Sequence, residues 1–176
     1  MKQLLDAFAV DQTIKRIASQ LAALEKDIPL ALVGIHAGGG PLTQRLAAAL
    51  KDKGIINPKL GSIDITLYRD DGFGPNDWPQ VGVTKIPFDL KTHTVVLVDD
   101  VLFTGRTVRA AMDVILDYGR PHAIRLVVLV DRGLRELPIQ ADISGHTIQT
   151  THTEHIQVVL SPEYEESDAV LITDRT

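Results

Sequence analysis

Two adjacent carboxylates, Asp99-Asp100, follow the apolar run Val95-Val96-Leu97-Val98 and precede Val101-Leu102-Phe103-Thr104-Gly105-Arg106-Thr107. The apolar run reads as a buried strand, and open α/β sheets hold ligands at the carboxyl ends of such strands. Thr-Gly-Arg-Thr then opens a helix, whose first N–H groups lack partners and whose dipole favours an anion. Gly105 lets the backbone approach a phosphate closely, while Thr104 and Thr107 add hydroxyl donors. The two acids would repel a phosphate but suit the paired hydroxyls of a ribose. Diol acceptors and an anion cradle a few residues apart describe a site for a 5-phosphoribosyl group. Any four of these residues alone would equally describe a capped turn at a helix start. The reading rests on all thirteen in order. The stretch lacks the Gly-x-x-x-x-Gly-Lys spacing of a Walker A loop, and no Gly-x-Gly-x-x-Gly fingerprint occurs.

Strands and helices must position these groups. Ile14, Ile17, Leu21 and Leu24 fall at helical spacing and predict a helix over residues 11–25, stopped before Pro29. Leu30–Ile35 is a buried strand, Gly38-Gly39-Gly40 a loop, and Pro41 the first turn of a helix reaching about Lys53. Alternation over Ser62–Tyr68 predicts a strand, and the Gly, Pro and Asp residues between Arg69 and Gln80 predict a long irregular excursion. Thr94–Val98 and Ile124–Val130 read as strands flanking a helix over Thr107–Leu116. The continuous apolar character of three of these strands requires a parallel sheet covered on both faces, an α/β doubly wound fold. Ile156–Leu160 and Ala169–Ile172 read as two further strands, an edge hairpin. With no repeat or linker, residues 1–176 are expected to form one domain.

Composition narrows the chemistry. The chain has no cysteine, which excludes disulfides, thiolate zinc sites and cysteine nucleophiles. Its 18 Lys+Arg against 23 Asp+Glu give a net charge of −5, so any nucleic-acid contact needs a local basic patch. No apolar run approaches the ~18 residues of a membrane span. Asp6 falls where a secretory leader stays apolar, so no signal peptide and a cytoplasmic location are expected, with no membrane partner.

The thirteen residues from Val95 to Thr107 resemble the signature that binds 5-phosphoribosyl 1-pyrophosphate (PRPP) in type I phosphoribosyltransferases. Ile63-Asp64-Ile65-Thr66-Leu67-Tyr68-Arg69-Asp70-Asp71, Gly119-Arg120-Pro121 and the stretch Val128–Pro138, with its Asp-Arg-Gly-x-Arg-Glu-Leu-Pro, resemble one branch. That branch is the PyrR family of pyrimidine operon regulators, whose members are often also uracil phosphoribosyltransferases, and the resemblance runs from about Gln12 to Asp174. It implies the type I phosphoribosyltransferase fold, a mainly parallel doubly wound sheet with a flexible loop over the active site. It also implies conversion of uracil and PRPP to UMP and pyrophosphate, Mg2+ carried in by PRPP, and at least a homodimer. Asp99 and Asp100 would contact the ribose, and Thr104, Gly105, Arg106 and Thr107 the 5-phosphate. His36, Ala37, Gly38, Gly39 and Gly40 would hold pyrophosphate. Arg69 and Asp70 would open the closing loop, and Val130, Asp131 and Arg132 would meet the base. No residue is assigned as a resident metal ligand.

Two regions depart from the family pattern. Relatives usually carry Thr-Arg-Gly where this chain has Ala37-Gly38-Gly39, which leaves backbone N–H groups and His36 to meet pyrophosphate. The family's Thr-Arg-x-x-His in the first helix is Lys15-Arg16-Ile17-Ala18-Ser19, and the histidine of its Asp-Arg-Gly-His is Leu134. Lys15, Arg16, Arg132 and Arg135 remain as RNA phosphate contacts, with several of the groups that read bases gone. A second reading is therefore an RNA-binding regulator that senses UMP and PRPP with weak or no catalysis; a purine-type transferase is a third. His152-Thr153-Glu154-His155 precedes a strand and lacks metal-site spacing. Trp78 either closes over the ligand or anchors its loop.

Overall fold

A computed structural model describes residues 1–24, 27–70 and 80–174. The chain runs β1 (Lys2–Leu5), α1 (Ala7–Leu24), β2 (Leu30–Ile35), α2 (Gly39–Lys51), β3 (Lys59–Ile63), β4 (Thr94–Leu102), α3 (Arg106–Tyr118), β5 (Ala123–Asp131), β6 (Ile143–Thr147), β7 (Glu154–Val159) and β8 (Ala169–Asp174). Five strands form one sheet in the order β3-β2-β4-β5-β6, and every pairing in it is parallel. This is the doubly wound α/β architecture that the three apolar runs demand. One core joins α1 and α2 to one face of the sheet, through Ile14, Leu21, Leu46, Val96 and Leu129. A second packs α3 on the other face, through Val108, Ile115, Leu97 and Val128.

Several boundaries differ from expectation for local reasons. Helix α1 begins at Ala7 because Asp6 caps it, its carboxylate accepting the Ala9 N–H at 2.8 Å. The strand expected over Ser62–Tyr68 ends at Ile63. The Asp64 carboxylate accepts the Thr66 N–H at 2.7 Å, and a short 3-10 turn over Thr66–Tyr68 replaces the strand. Strand β4 runs past Val98 to Leu102, since β5 continues to pair with it.

The tail does form a hairpin, but away from the main sheet. Strands β7 and β8 pair antiparallel, and β1 adds to β8, giving a separate three-stranded sheet. Buried Arg45 of α2 ties this hood to the body. Its guanidinium meets Asp168 at 2.7 Å and Asp11 of α1 at 3.0 Å, and Asp168 also accepts the Ser161 N–H. Residues 71–79, with Trp78, lie outside the described residues. Among the described residues no helix is long and apolar enough to cross a membrane.

Candidate functional site

The chain turns back between β2 and β4, neighbours in the sheet that lie far apart in sequence. Such a switch point leaves a crevice at the carboxyl ends of the strands. Asp99 and Asp100 sit there on β4. Burial, and then the Asp100 charge, push the Asp99 carboxyl well above the ordinary aspartate range. One Asp99 oxygen accepts the Asp100 N–H at 3.0 Å. Asp100 is only half-buried and lies against the first turn of α2.

Close packing of glycines makes that approach possible. A Cβ on Gly38 would overlap the Asp100 carboxylate, and one on Gly39 would overlap the Val98 carbonyl. A Cβ on Gly34 would come within 2.7 Å of Thr43 Oγ1. Gly40 faces open space, so sterics there demand no glycine. The triple-glycine loop of the sequence reading is shorter than expected, since α2 starts at Gly39 rather than at Pro41. The His36–Ala37 peptide bond is cis. His36 is exposed, and its N–H donates to the Ile63 carbonyl at 3.0 Å.

After β4, Phe103-Thr104-Gly105 turns into α3. Gly105 has φ +93°, the left-handed region that glycine enters freely. A cavity of about 340 Å³ opens here, lined by Ile65, Arg69, Asp70, Phe103, Thr104, Arg106 and Thr107. The positive end of α3 suits it to an anion, with the Arg106 N–H donating to Thr104 Oγ1 at 3.3 Å. Arg106 reaches two carboxylates, Glu136 at 2.6 Å and Asp70 at 2.7 Å. Both contacts raise its already high pKa, Glu136 first. The pairs are half-exposed and hence weak, so an incoming phosphate can compete for the guanidinium.

Residues 135–137 brace the turn from behind. Arg135 donates to the Phe103 carbonyl at 2.7 Å, and the Glu136 and Leu137 N–H groups donate to the Thr104 carbonyl at 3.0 and 3.2 Å. Arg135 also meets Asp131 at 2.5 Å. Its guanidinium thus serves the site's scaffold rather than the surface.

A second cavity, of about 390 Å³, lies beside Asp100 and is lined by Val101, Phe103, Arg132, His152, His155 and Gln157 among others. Of the residues expected to meet a base, Arg132 lines it. Val130 is fully buried in β5, and the Asp131 side chain is held by Arg135 and by the Gly133 N–H. Sequence reasoning weighed His152 and His155 only as a metal pair and missed them, with Gln157, as the far wall, because β7, which carries His155 and Gln157, belongs to the separate hood sheet. The pair of histidines faces this cavity, and no metal-holding cluster of three His, Cys, Asp or Glu occurs among the described residues.

The structure therefore brings Asp99, Asp100, Gly38, Thr104, Gly105, Arg106, Asp70 and Arg132 to one end of the sheet. Lys15 and Arg16 lie elsewhere, in a groove on α1 shared with Lys53. Lys15 pairs with Asp11 at 2.7 Å, and Arg16 donates to the Gly145 carbonyl.

Comparison with known proteins gives the family and the fold. The family described as "Phosphoribosyl transferase domain" matches residues 1–166. A protein of Roseiflexus sp. (strain RS-1), named "Bifunctional protein PyrR", is 47% identical over 176 residues, covering 99% of this chain and 96% of the relative. One of the same name from Geobacter sulfurreducens is 48% identical over 169 residues, covering 96% of each. Among solved structures, the hypoxanthine phosphoribosyltransferase of Trypanosoma cruzi superposes with a TM-score of 0.74 at 19% identity, covering 99% of this chain and 97% of that one. At that identity the likeness shows the fold alone.

Proposed function

The chain belongs to the phosphoribosyl transferase domain family and to the PyrR proteins within it, and on that premise we propose that it converts uracil and PRPP to UMP and pyrophosphate. The observation that carries the reading is the adjacency of Asp99-Asp100, the anion-ready start of α3 and the glycine-packed start of α2 around one crevice. PRPP needs these three features: acceptors for the ribose hydroxyls, a cradle for the 5-phosphate and amides for pyrophosphate.

In the reaction, uracil N1 attacks the anomeric carbon, the bond from that carbon to the pyrophosphate oxygen breaks with its electron pair leaving on pyrophosphate, and the N1 proton passes to solvent. Positive charge builds on the ribose while negative charge leaves. Asp100, half-buried beside the ribose position, opposes the first. The start of α2, with His36, meets the second, while the start of α3 holds the 5-phosphate. Arg69 and Asp70 lie at the mouth of the phosphate cavity, at the root of the segment assigned to closure. The cavity beside Arg132 holds the base in line with the anomeric carbon, so alignment supplies much of the rate. Mg2+ belongs to the donor, since it prefers phosphate oxygens and keeps waters, and the two adjacent carboxylates Asp99 and Asp100, with no cluster of three metal ligands among the described residues, suit such a passenger.

The reading takes residues 1–176 as one domain, working in the cytoplasm, where nucleotide synthesis supplies PRPP. It takes the working unit as at least a homodimer; exposed Ile56 and Leu60, beside and on edge strand β3, support contact with a second copy. The relatives' name, bifunctional, extends the proposal to a regulatory role in pyrimidine gene expression. The groove with Lys15, Arg16 and Lys53 supports an RNA contact there; Arg135 is removed from that role by its inward bonds. The alternative, a UMP- and PRPP-sensing regulator with weak catalysis, is favoured by one observation, the absence of arginine in the Ala37-Gly38-Gly39 loop. Calorimetric titration with Mg-PRPP and with UMP tests the shared site, and both are expected to bind and to compete. Titrating UMP against binding of a pyrimidine-operon leader RNA separates the two roles. Failure of both nucleotides to bind would contradict either reading.

A further inference from the structure

Phe103 occupies the turn between the carboxylates of β4 and the start of α3, and it lines both cavities. The Arg132 guanidinium lies over its ring, 4.1 Å from the centroid. The His152 ring stands 6.3 Å away, tilted by 60°. Arg132 is 4% exposed. Its Nε donates to Thr150 Oγ1 at 3.0 Å, and one terminal nitrogen donates to the Thr151 and Glu154 carbonyls, each at 2.8 Å. Its backbone N–H holds the Leu102 carbonyl at 3.0 Å. One side chain thus grips the turn that leads into hood strand β7 and stacks on the ring at the end of β4.

Building on the functional reading above, we propose that Phe103 contacts the base as an aromatic wall of the pocket and that Arg132 is a positioning residue acting through it. A planar heterocycle packs well against an aromatic face, and a stack on Phe103 needs that ring held still. Arg132 does so with a flat guanidinium that stays charged at any working pH. Because the same guanidinium holds residues 150–154, it also sets the gap between the Phe103 wall and the β7 wall, where His155 and Gln157 line the pocket. Arg132 therefore shapes the base pocket while its Nε and one terminal nitrogen face the hood.

Steady-state kinetics of the full chain, with uracil and PRPP varied independently, test this in Phe103→Leu, Phe103→Tyr, Arg132→Met and the double variant Phe103→Leu/Arg132→Met. Phe103→Leu is expected to raise the KM for uracil about tenfold, the scale of one base–aromatic stack, with the KM for PRPP nearly unchanged. Phe103→Tyr, which keeps the ring, should restore most of that loss. Arg132→Met should raise the same KM, and the double variant should lose less than the sum of the two single losses, because the part of the Arg132 effect that runs through Phe103 is removed only once. An unchanged KM for uracil in Phe103→Leu, or equal rises for both substrates, overturns the wall. Additive losses in the double variant overturn the action of Arg132 through Phe103. Should Arg132→Met fail to fold by circular dichroism, Arg132→Lys, which keeps the charge and loses the flat stack, takes its place with the same expectations. UMP affinity by calorimetry runs the same comparison without turnover. A wild-type protein that neither converts uracil nor binds UMP contradicts the functional reading itself, whereas failure confined to the variants contradicts only the Phe103–Arg132 assignment.

Discussion

The carboxylate of Asp100 lies where a side chain on Gly38 would have to stand. Gly38 has an ordinary right-handed backbone, φ −74° and ψ −31°, so the constraint is steric and not conformational. Any side chain at this place in the loop is incompatible with Asp100 as positioned here. Glycine at position 38 thus gives Asp100 its position.

Gly38→Ala should consequently displace the Asp100 side chain and weaken Mg-PRPP binding by about tenfold, the scale of a close-packed overlap. Gly40→Ala, facing open space, should bind PRPP as the native chain does. Calorimetry on the two variants checks the contrast, and equal affinities would contradict the packing argument.

Asp100→Asn should weaken PRPP binding by about tenfold, as expected for loss of a charged hydrogen-bond acceptor. The fold should stay intact, because the substitution removes a like charge beside Asp99. Unchanged PRPP affinity would place the ribose elsewhere.

The acid pair also sets a pH dependence. The folded state holds the Asp99 proton more tightly than the unfolded chain, through burial and then the Asp100 charge. Asp99's stabilising contribution is thus fully present below the unfolded pKa and is lost as pH rises through the raised folded value. Asp11 and Asp64 act in the opposite sense. Burial alone would raise each, but Lys15 and Arg45 outweigh it at Asp11, and hydrogen bonds from Thr66 and Gly82 outweigh it at Asp64. Their contributions are present above the unfolded pKa and are lost as pH falls through the lowered values. Asp99→Asn, which still accepts the Asp100 N–H, should melt above the native chain at neutral pH, with the advantage shrinking toward pH about 4, near the unfolded aspartate value. Thermal melts across that range measure it; a constant difference would contradict the assignment to Asp99.

The hood depends on the buried Arg45–Asp168 pair. Asp168→Ala leaves the guanidinium buried without this partner and should cost about 3–5 kcal/mol, as for other broken buried pairs. Urea unfolding measures the loss, and a change within error would mean that the hood is held by apolar contacts alone.

The central sheet was legible because β2, β4 and β5 are buried on both faces and read as continuous apolar runs. The turn from β4 into α3 was legible because its residues are local, packed into the few positions after Val98. The wall at His155 and Gln157 was not, since it depends on β7 pairing with β8 and on β1, whose Lys2 pairs with Ile172 from the other end of the chain. No local periodicity encodes such a partner. Arg45 and Arg135 were opaque for a related reason: each is a basic residue whose meaning lies in the distant or folded-back groups it meets, Asp168 in one case and the Phe103 carbonyl in the other. Asp64 shows how one side chain defeats alternation, since its acceptance of the Thr66 N–H turns an apparent strand into a 3-10 turn.

The measurement that bears most directly on the whole account is conversion of radiolabelled uracil to UMP with PRPP and Mg2+, run in parallel with hypoxanthine and orotate. The account predicts turnover of uracil and not of the other two bases, with the glycine-packed loop and His36 sufficient for pyrophosphate. Turnover of hypoxanthine or orotate alone, or no turnover of uracil by a protein that still binds PRPP, would contradict it.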